Sequence, residues 1–140
     1  MGDAVVSIGV GAFYGCTALT SLTIPKNIKE SDGITFKNCS SLTAVNFEND
    51  ITKLTDYMFS SCSSLTTWTI PATVKEIGTG VFRECTALTG VVFAGSETKI
   101  SDYMFYGCTA LKTITIPSTV DTIGKYAFYK SGIEFIFGCS

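Results

Sequence analysis

The sequence has no histidine. Imidazole is the commonest proton carrier near neutral pH and the commonest metal ligand, so Ser-His and Cys-His nucleophile pairs are excluded outright. Runs of like charge are also missing. Ten basic and twelve acidic residues are scattered along the chain for a net charge of −2, a balance that points to no nucleic acid and no anionic membrane surface as partner. No apolar stretch approaches the ~18 residues of a membrane span, so no membrane insertion is expected. Met1-Gly2-Asp3 leads straight to Val5 and Val6 without a basic or long apolar segment. The chain therefore reads as cytoplasmic, or as one whose leader has been removed. A Gly-rich phosphate loop is absent as well, and Gly9, Gly78 and Gly124 suit turns. The expectation is no catalytic residue, no metal site and no cofactor.

What is present is apolar and periodic. With 46% hydrophobic and 16% charged residues, the chain is too rich in core-forming side chains to be disordered. Phenylalanine stands at Phe13, Phe36, Phe59, Phe82, Phe105 and Phe128, each 23 residues after the last. Cysteine follows in step at Cys16, Cys39, Cys62, Cys85 and Cys108, and leucine at Leu19, Leu42, Leu65, Leu88 and Leu111. Further apolar columns hold Leu22, Val45, Trp68, Val91 and Ile114, then Ile24, Phe47, Ile70, Phe93 and Ile116. A last column holds Val5, Ile28, Ile51, Val74 and Val120 and is broken by Glu97. A slower beat of 46 residues overlies this one: Thr-Ile-Pro recurs at 23–25, 69–71 and 115–117, and Asp-Tyr-Met-Phe at 56–59 and 102–105. Odd and even coils are thus of two types.

Alternation of polar and apolar residues in Ser21-Leu22-Thr23-Ile24 is the period of a half-buried strand. Pro25, Pro71 and Pro117 lack an amide donor and suit strand ends. Phe82, Cys85 and Leu88, spaced by three, predict a turn or two of helix, with Asp56 and Asp102 as caps of such segments. One coil cannot bury its own apolar face, whereas stacked coils can, with strands ~4.8 Å apart in a parallel sheet. The predicted fold is an α/β repeat, a right-handed solenoid of about six coils. It has a parallel sheet on one face and short helices or turns on the other.

The run Phe-x-x-Cys-x-x-Leu-x-x-Ile-x-Ile-Pro-x-x-Val-x-x-Ile-Gly resembles the BspA-like leucine-rich repeats. Residues 105–124 match it throughout, at Phe105, Cys108, Leu111, Ile114, Ile116, Pro117, Val120, Ile123 and Gly124. The resemblance extends over essentially the whole chain, so that 1–140 reads as one leucine-rich-repeat domain. It implies a surface or secreted protein of the kind found in gut and oral bacteria and in trichomonads, several of which are adhesins. A host or cell-surface protein is the partner so implied. Departures are Ser31 in an isoleucine/leucine column, Ser131 in place of cysteine, and a last coil one residue short, with Ile133 in the leucine role.

The cysteine ladder admits a metal or redox reading. A column of thiols forms a line and not a tetrahedron, and parallel Cβ directions bridge poorly, so buried free thiols are expected. Cys139, near the terminus, is the thiol expected to be exposed and able to pair between molecules. Glu30, Glu76 and Glu84, beside Lys29, Lys75 and Arg83, read as a solvated face. Asn38-Cys39-Ser40 is formally a glycosylation sequon, but its middle residue belongs to the buried column.

Solenoids bind with the face that their strands expose. The residues expected there are Ser21, Thr23, Asn46, Thr67, Thr69, Val92, Lys112, Thr113 and Thr115, with Ala44 and Gly90 between them. The function expected is a non-enzymatic protein-binding module, part of a cell-surface adhesin. The alternative is a structural spacer or a consensus-like scaffold without a ligand. Ser/Thr-x-Thr in three coils also resembles the threonine ladder of ice-binding solenoids, although threonine suits any exposed strand. No capping unit is evident at either end. The array therefore reads as an excerpt of a longer one, or as a homodimer that buries Phe135, Ile136, Phe137 and Cys139.

Overall fold

The structure, a computed structural model, describes residues 2, 4–28 and 30–138. Cys139 and Lys29 lie outside them, as do the side chains of Glu30 and Ser31. Among the described residues, twelve strands alternate between short and long: β1 (Ser7–Ile8), β2 (Ser21–Ile24), β3 (Glu30–Ser31), β4 (Ala44–Phe47), β5 (Lys53–Leu54), β6 (Thr67–Ile70), β7 (Glu76–Ile77), β8 (Gly90–Phe93), β9 (Lys99–Ile100), β10 (Thr113–Ile116), β11 (Thr122–Ile123) and β12 (Phe135–Gly138). Six long strands delimit about five full turns of a solenoid, close to the six coils expected from the repeat count.

The strand face is not one sheet. β2 pairs with β4, β6 with β8, and β10 with β12, all parallel, and nothing ladders β4 to β6 or β8 to β10. The short strands obey the same rule, β1 with β3, β5 with β7 and β9 with β11. Three two-coil units result, and they are the 46-residue beat made visible. Proline explains the break. Within a unit the amide of Glu48 donates to Ile24 O at 2.9 Å, and that of Ala94 to Ile70 O at 3.0 Å. One coil further on, the equivalent donors fall on Pro71 and Pro117, which have no N–H to give.

Continuity is kept on the turn side. There every second amide donates to the next coil, as Ile34 to Asp56 O (2.8 Å), Phe36 to Met58 O (3.0 Å) and Asn38 to Ser60 O (2.9 Å). Between them, Lys37 donates back to Ile34 O and Cys39 to Phe36 O, three residues behind. The same alternation crosses every coil boundary, including those where the strands do not pair. The short helices expected here are therefore not formed, and among the described residues there is no helix. The physical reason is left-handed backbone at two positions four residues apart in each coil, with φ near 54° at Ile34, 62° at Asn38, 55° at Tyr57 and 59° at Ser61. Such residues end a helical turn and aim their amides along the solenoid axis.

The interior follows the columns read from the sequence. Six phenylalanines form one continuous stack, with centroid separations of 5.6, 5.6, 5.9, 5.9 and 5.4 Å and rings nearly parallel. Phe36, Phe59, Phe82 and Phe105 are wholly buried, as are Leu42, Leu65, Leu88 and Leu111. Each contributes about 1.5–3 kcal/mol of hydrophobic stabilisation. Trp68 packs against Phe59 and Phe82 at 5.2 and 5.7 Å. In the last coil Thr113 pairs with Phe135, 22 residues on, where the earlier long strands pair at 23. This is the missing residue expected there, and Ile133 packs against the core.

Candidate functional site

The nine strand-face candidates all lie at the surface. Ser21, Thr23, Asn46, Thr67, Thr69, Val92, Thr113 and Thr115 are exposed because inward and outward positions alternate along each strand, and Lys112, just before β10, is exposed as well. Their register is Thr23 against Asn46, Thr69 against Val92 and Thr115 against Phe137. Threonine on one coil thus faces another residue type on the next, so paired coils do not repeat it as a regular ladder.

Pairwise strand bonding gives this face relief that the sequence reading missed. A groove of about 460 Å³ separates β4 from β6, walled by Asn46 on one side and Thr67, Thr69 and Pro71 on the other. A second, of about 560 Å³, separates β8 from β10, walled by Val92, Thr113, Thr115 and Pro117. Six of the nine candidates line these two grooves. Backbone groups of the strand edges face into them, since no neighbouring strand uses them. The signal was present in the recurrence of Thr-Ile-Pro in alternate coils only. Lys112 stands apart from the grooves and pairs with Glu134 at 3.8 Å.

Four of the ladder cysteines are held as inert core. Cys39, Cys62, Cys85 and Cys108 each donate from Sγ to the carbonyl of the phenylalanine 26 residues earlier, at 3.0–3.1 Å. Burial pushes the Cys62 and Cys108 thiols up to about 12, with the neighbouring Cys39 sulfur adding to the effect at Cys62. Cys39 and Cys85 are raised for the same reason, Cys85 well above the ordinary range. A thiol kept protonated is a poor nucleophile and a poor metal ligand.

The carboxylates are dispersed. Glu76 pairs with Lys53 at 3.2 Å, and Glu84 with Arg83 at 3.5 Å, both at the surface. Asp56 and Asp102 do cap, though across coils rather than within a helix: their Oδ1 atoms accept the amides of Thr79 (2.8 Å) and Lys125 (3.0 Å). Gly78 and Gly124 sit where a Cβ would collide with those same carboxylates, so they supply room for a cap and not turn conformations.

Aromatic residues on the turn side were not singled out from the sequence. Tyr103, Tyr106, Tyr126 and Tyr129 form a mutually contacting quartet, with centroids 5.3–5.8 Å apart. Their 23-residue spacing was readable, but it spans two coils only and is hidden beneath the columns that run the whole length.

The BspA type leucine rich repeat region matches the chain in six copies, over residues 1–108 and 77–137. No curated protein matches it. Among solved structures, a leucine-rich repeat protein of T. pallidum shares 25% identity at a TM-score of 0.67, covering 87% of this chain and 69% of that one. One from Eubacterium ventriosum shares 30% at 0.69, over 89% of this chain but 34% of that one. One from Bacteroides ovatus shares 25% at 0.57, over 92% of this chain and 45% of that one. Repeats of this kind typically serve as protein-interaction modules. With the repeat signature running through its length and a parallel-strand solenoid as its fold, the chain belongs to the BspA-type leucine-rich repeat family.

Proposed function

We propose that the chain is a non-enzymatic protein-binding module that works in adhesion at a cell surface, with the strand ribbons as its contact face. The observation that carries this reading is the pair of grooves between ribbons, each walled by exposed hydroxyl, amide and small apolar side chains. Volumes of this size accept side chains of a partner, and the free strand edges offer backbone hydrogen bonds to it. Immobilised chain should retain host matrix proteins or whole cells, and Thr69→Lys with Thr115→Lys, which fill the grooves, should abolish that retention. A spacer without ligand predicts no retention by the unaltered chain.

Exposed apolar side chains on β12 favour a second contact. Phe135, Ile136 and Phe137 are 61%, 48% and 54% exposed on β12, an apolar edge that a second copy of the chain can cover. Sedimentation equilibrium should show concentration-dependent self-association that Phe135→Ser with Phe137→Ser suppresses; a monomer at all concentrations rejects the homodimer.

A further inference from the structure

The tyrosine quartet lies on the turn side, in coils whose ribbon residues it does not touch. Tyr103 and Tyr126 precede the stacked phenylalanines by two residues, and Tyr106 and Tyr129 follow them by one. The outer pair is half open to solvent, Tyr126 at 53% and Tyr129 at 49%. Three cations sit on the rings: Arg83 over Tyr106 at 4.8 Å, Lys125 over Tyr103 at 5.9 Å and Lys130 over Tyr129 at 5.6 Å. Among the described residues, Glu84 is the one carboxylate that forms an ion pair with any of them, at Arg83. Asp102 adds a second carboxylate, its Oδ1 accepting the Lys125 amide, so the three cations around the quartet exceed the neighbouring carboxylates by one.

Backbone conformation adds a second observation. Tyr103 and Tyr126 hold φ at 58° and 54°, a place filled by Gly11 and Gly80 in two other coils and by Ile34 and Tyr57, equally left-handed, in the remaining two. A left-handed L-residue costs about 1–2 kcal/mol that glycine avoids, so the aromatic rings are kept against a local preference. Stacking offsets part of that cost, at about 0.5–1.5 kcal/mol per pair. The solvent meets half-open tyrosine rings at Tyr126 and Tyr129, and the four phenol hydroxyls make no hydrogen bond to the described residues.

We propose that this quartet is a second binding surface, and that its partner is an acidic protein segment in which carboxylates alternate with apolar side chains. Hydroxyl donors and the two ammonium groups, beside a guanidinium that Glu84 already engages, favour carboxylate oxygens. The half-exposed ring area requires apolar atoms as well, which a peptide supplies and a sulfated polysaccharide does not. Tyrosine and arginine are also the side chains enriched at the energetic centres of protein interfaces. None of this depends on the ribbon face.

Fluorescence anisotropy with a short labelled peptide alternating glutamate and leucine tests the assignment, with the lysine–leucine peptide and labelled heparin as parallel arms. The glutamate peptide should bind the intact chain and the lysine peptide should not. Tyr126→Ala with Tyr129→Ala should weaken binding by about tenfold or more. Lys125→Ala with Lys130→Ala, which leaves the rings in place and covers the event that the tyrosine variant fails to fold, should weaken it severalfold and reduce its salt dependence. Thr69→Ala with Thr115→Ala should leave it unchanged, which separates this surface from the ribbons. The proposal is overturned by equal binding of both peptides, by no binding of the glutamate peptide, by binding indifferent to the tyrosine and lysine changes, or by patch-dependent capture of heparin alone.

Discussion

At position 97 a carboxylate stands in a column otherwise held by valine and isoleucine. Glu97 is 9% exposed, and neither of its side-chain oxygens finds a hydrogen-bond partner among the described residues. Its carbonyl accepts Thr119 Oγ1 at 2.7 Å, whereas the buried carboxylate is left without a partner and is costly. In the same column Ile28 and Val74 are buried without polar atoms to satisfy. Glu97→Val should therefore stabilise the chain by about 1–3 kcal/mol, the usual cost of an unpaired buried polar group. Urea denaturation reads this directly, and an unchanged or lower midpoint sinks the argument. The break in the column was legible from the sequence. Its burial was not, because that depends on tertiary packing, in which Glu97 Oε1 lies where a side chain on Gly95 would otherwise stand. Gly78 teaches the same lesson, since a turn glycine and a glycine making room for the Asp56 cap look alike in sequence.

At the scale of elements, the strands were legible and the segments between them were not. Alternation marks β2, β6 and β10 plainly, and all three are long strands with inward isoleucines. Phe-x-x-Cys-x-x-Leu keeps every third residue inward in a helix and equally in the turn ladder found here. The deciding feature is left-handed backbone, which Gly15 and Gly107 mark in the column of Asn38, Ser61 and Glu84, but the non-glycine residues in the other coils hide that sign. Proline carried more information than a strand end: it removes the donor on which a continuous sheet depends. Hydrogen exchange should register this. The amides of Thr43 and Thr89 donate to Thr20 O and Thr66 O at 2.8 Å within their units, and should be protected. Their counterparts across the unit boundaries, Thr66 and Lys112, have no backbone acceptor among the described residues and should exchange much faster. Equal protection at all four would mean that the ribbons close into one sheet in solution.

Across the whole molecule, two-coil units are joined by the turn ladder and by the shared core of phenylalanine, leucine and cysteine. The sequence period specified that core almost completely, because a repeat of constant length stacks like on like. The cysteine column makes the assembly sensitive to alkali. Unfolded thiols titrate near pH ~8.5, whereas burial holds Cys62 and Cys108 up to about 12 and raises Cys39 and Cys85. Above the unfolded value the unfolded chain releases protons that the folded chain retains, so the stability is fully present below it and is lost as pH rises towards the folded value. Each buried thiol adds a slope of up to about 1.4 kcal/mol per pH unit within that window. Urea midpoints measured through the window should fall steeply for the natural chain. Cys62→Ala with Cys108→Ala should start lower, from lost packing, and fall less steeply, from two fewer titrating groups. Level and slope thus move in opposite senses, which no general loss of stability can imitate. Parallel pH profiles for the two chains would show that the thiols are not what alkali attacks, and that the turn ladder or the open β12 edge yields first.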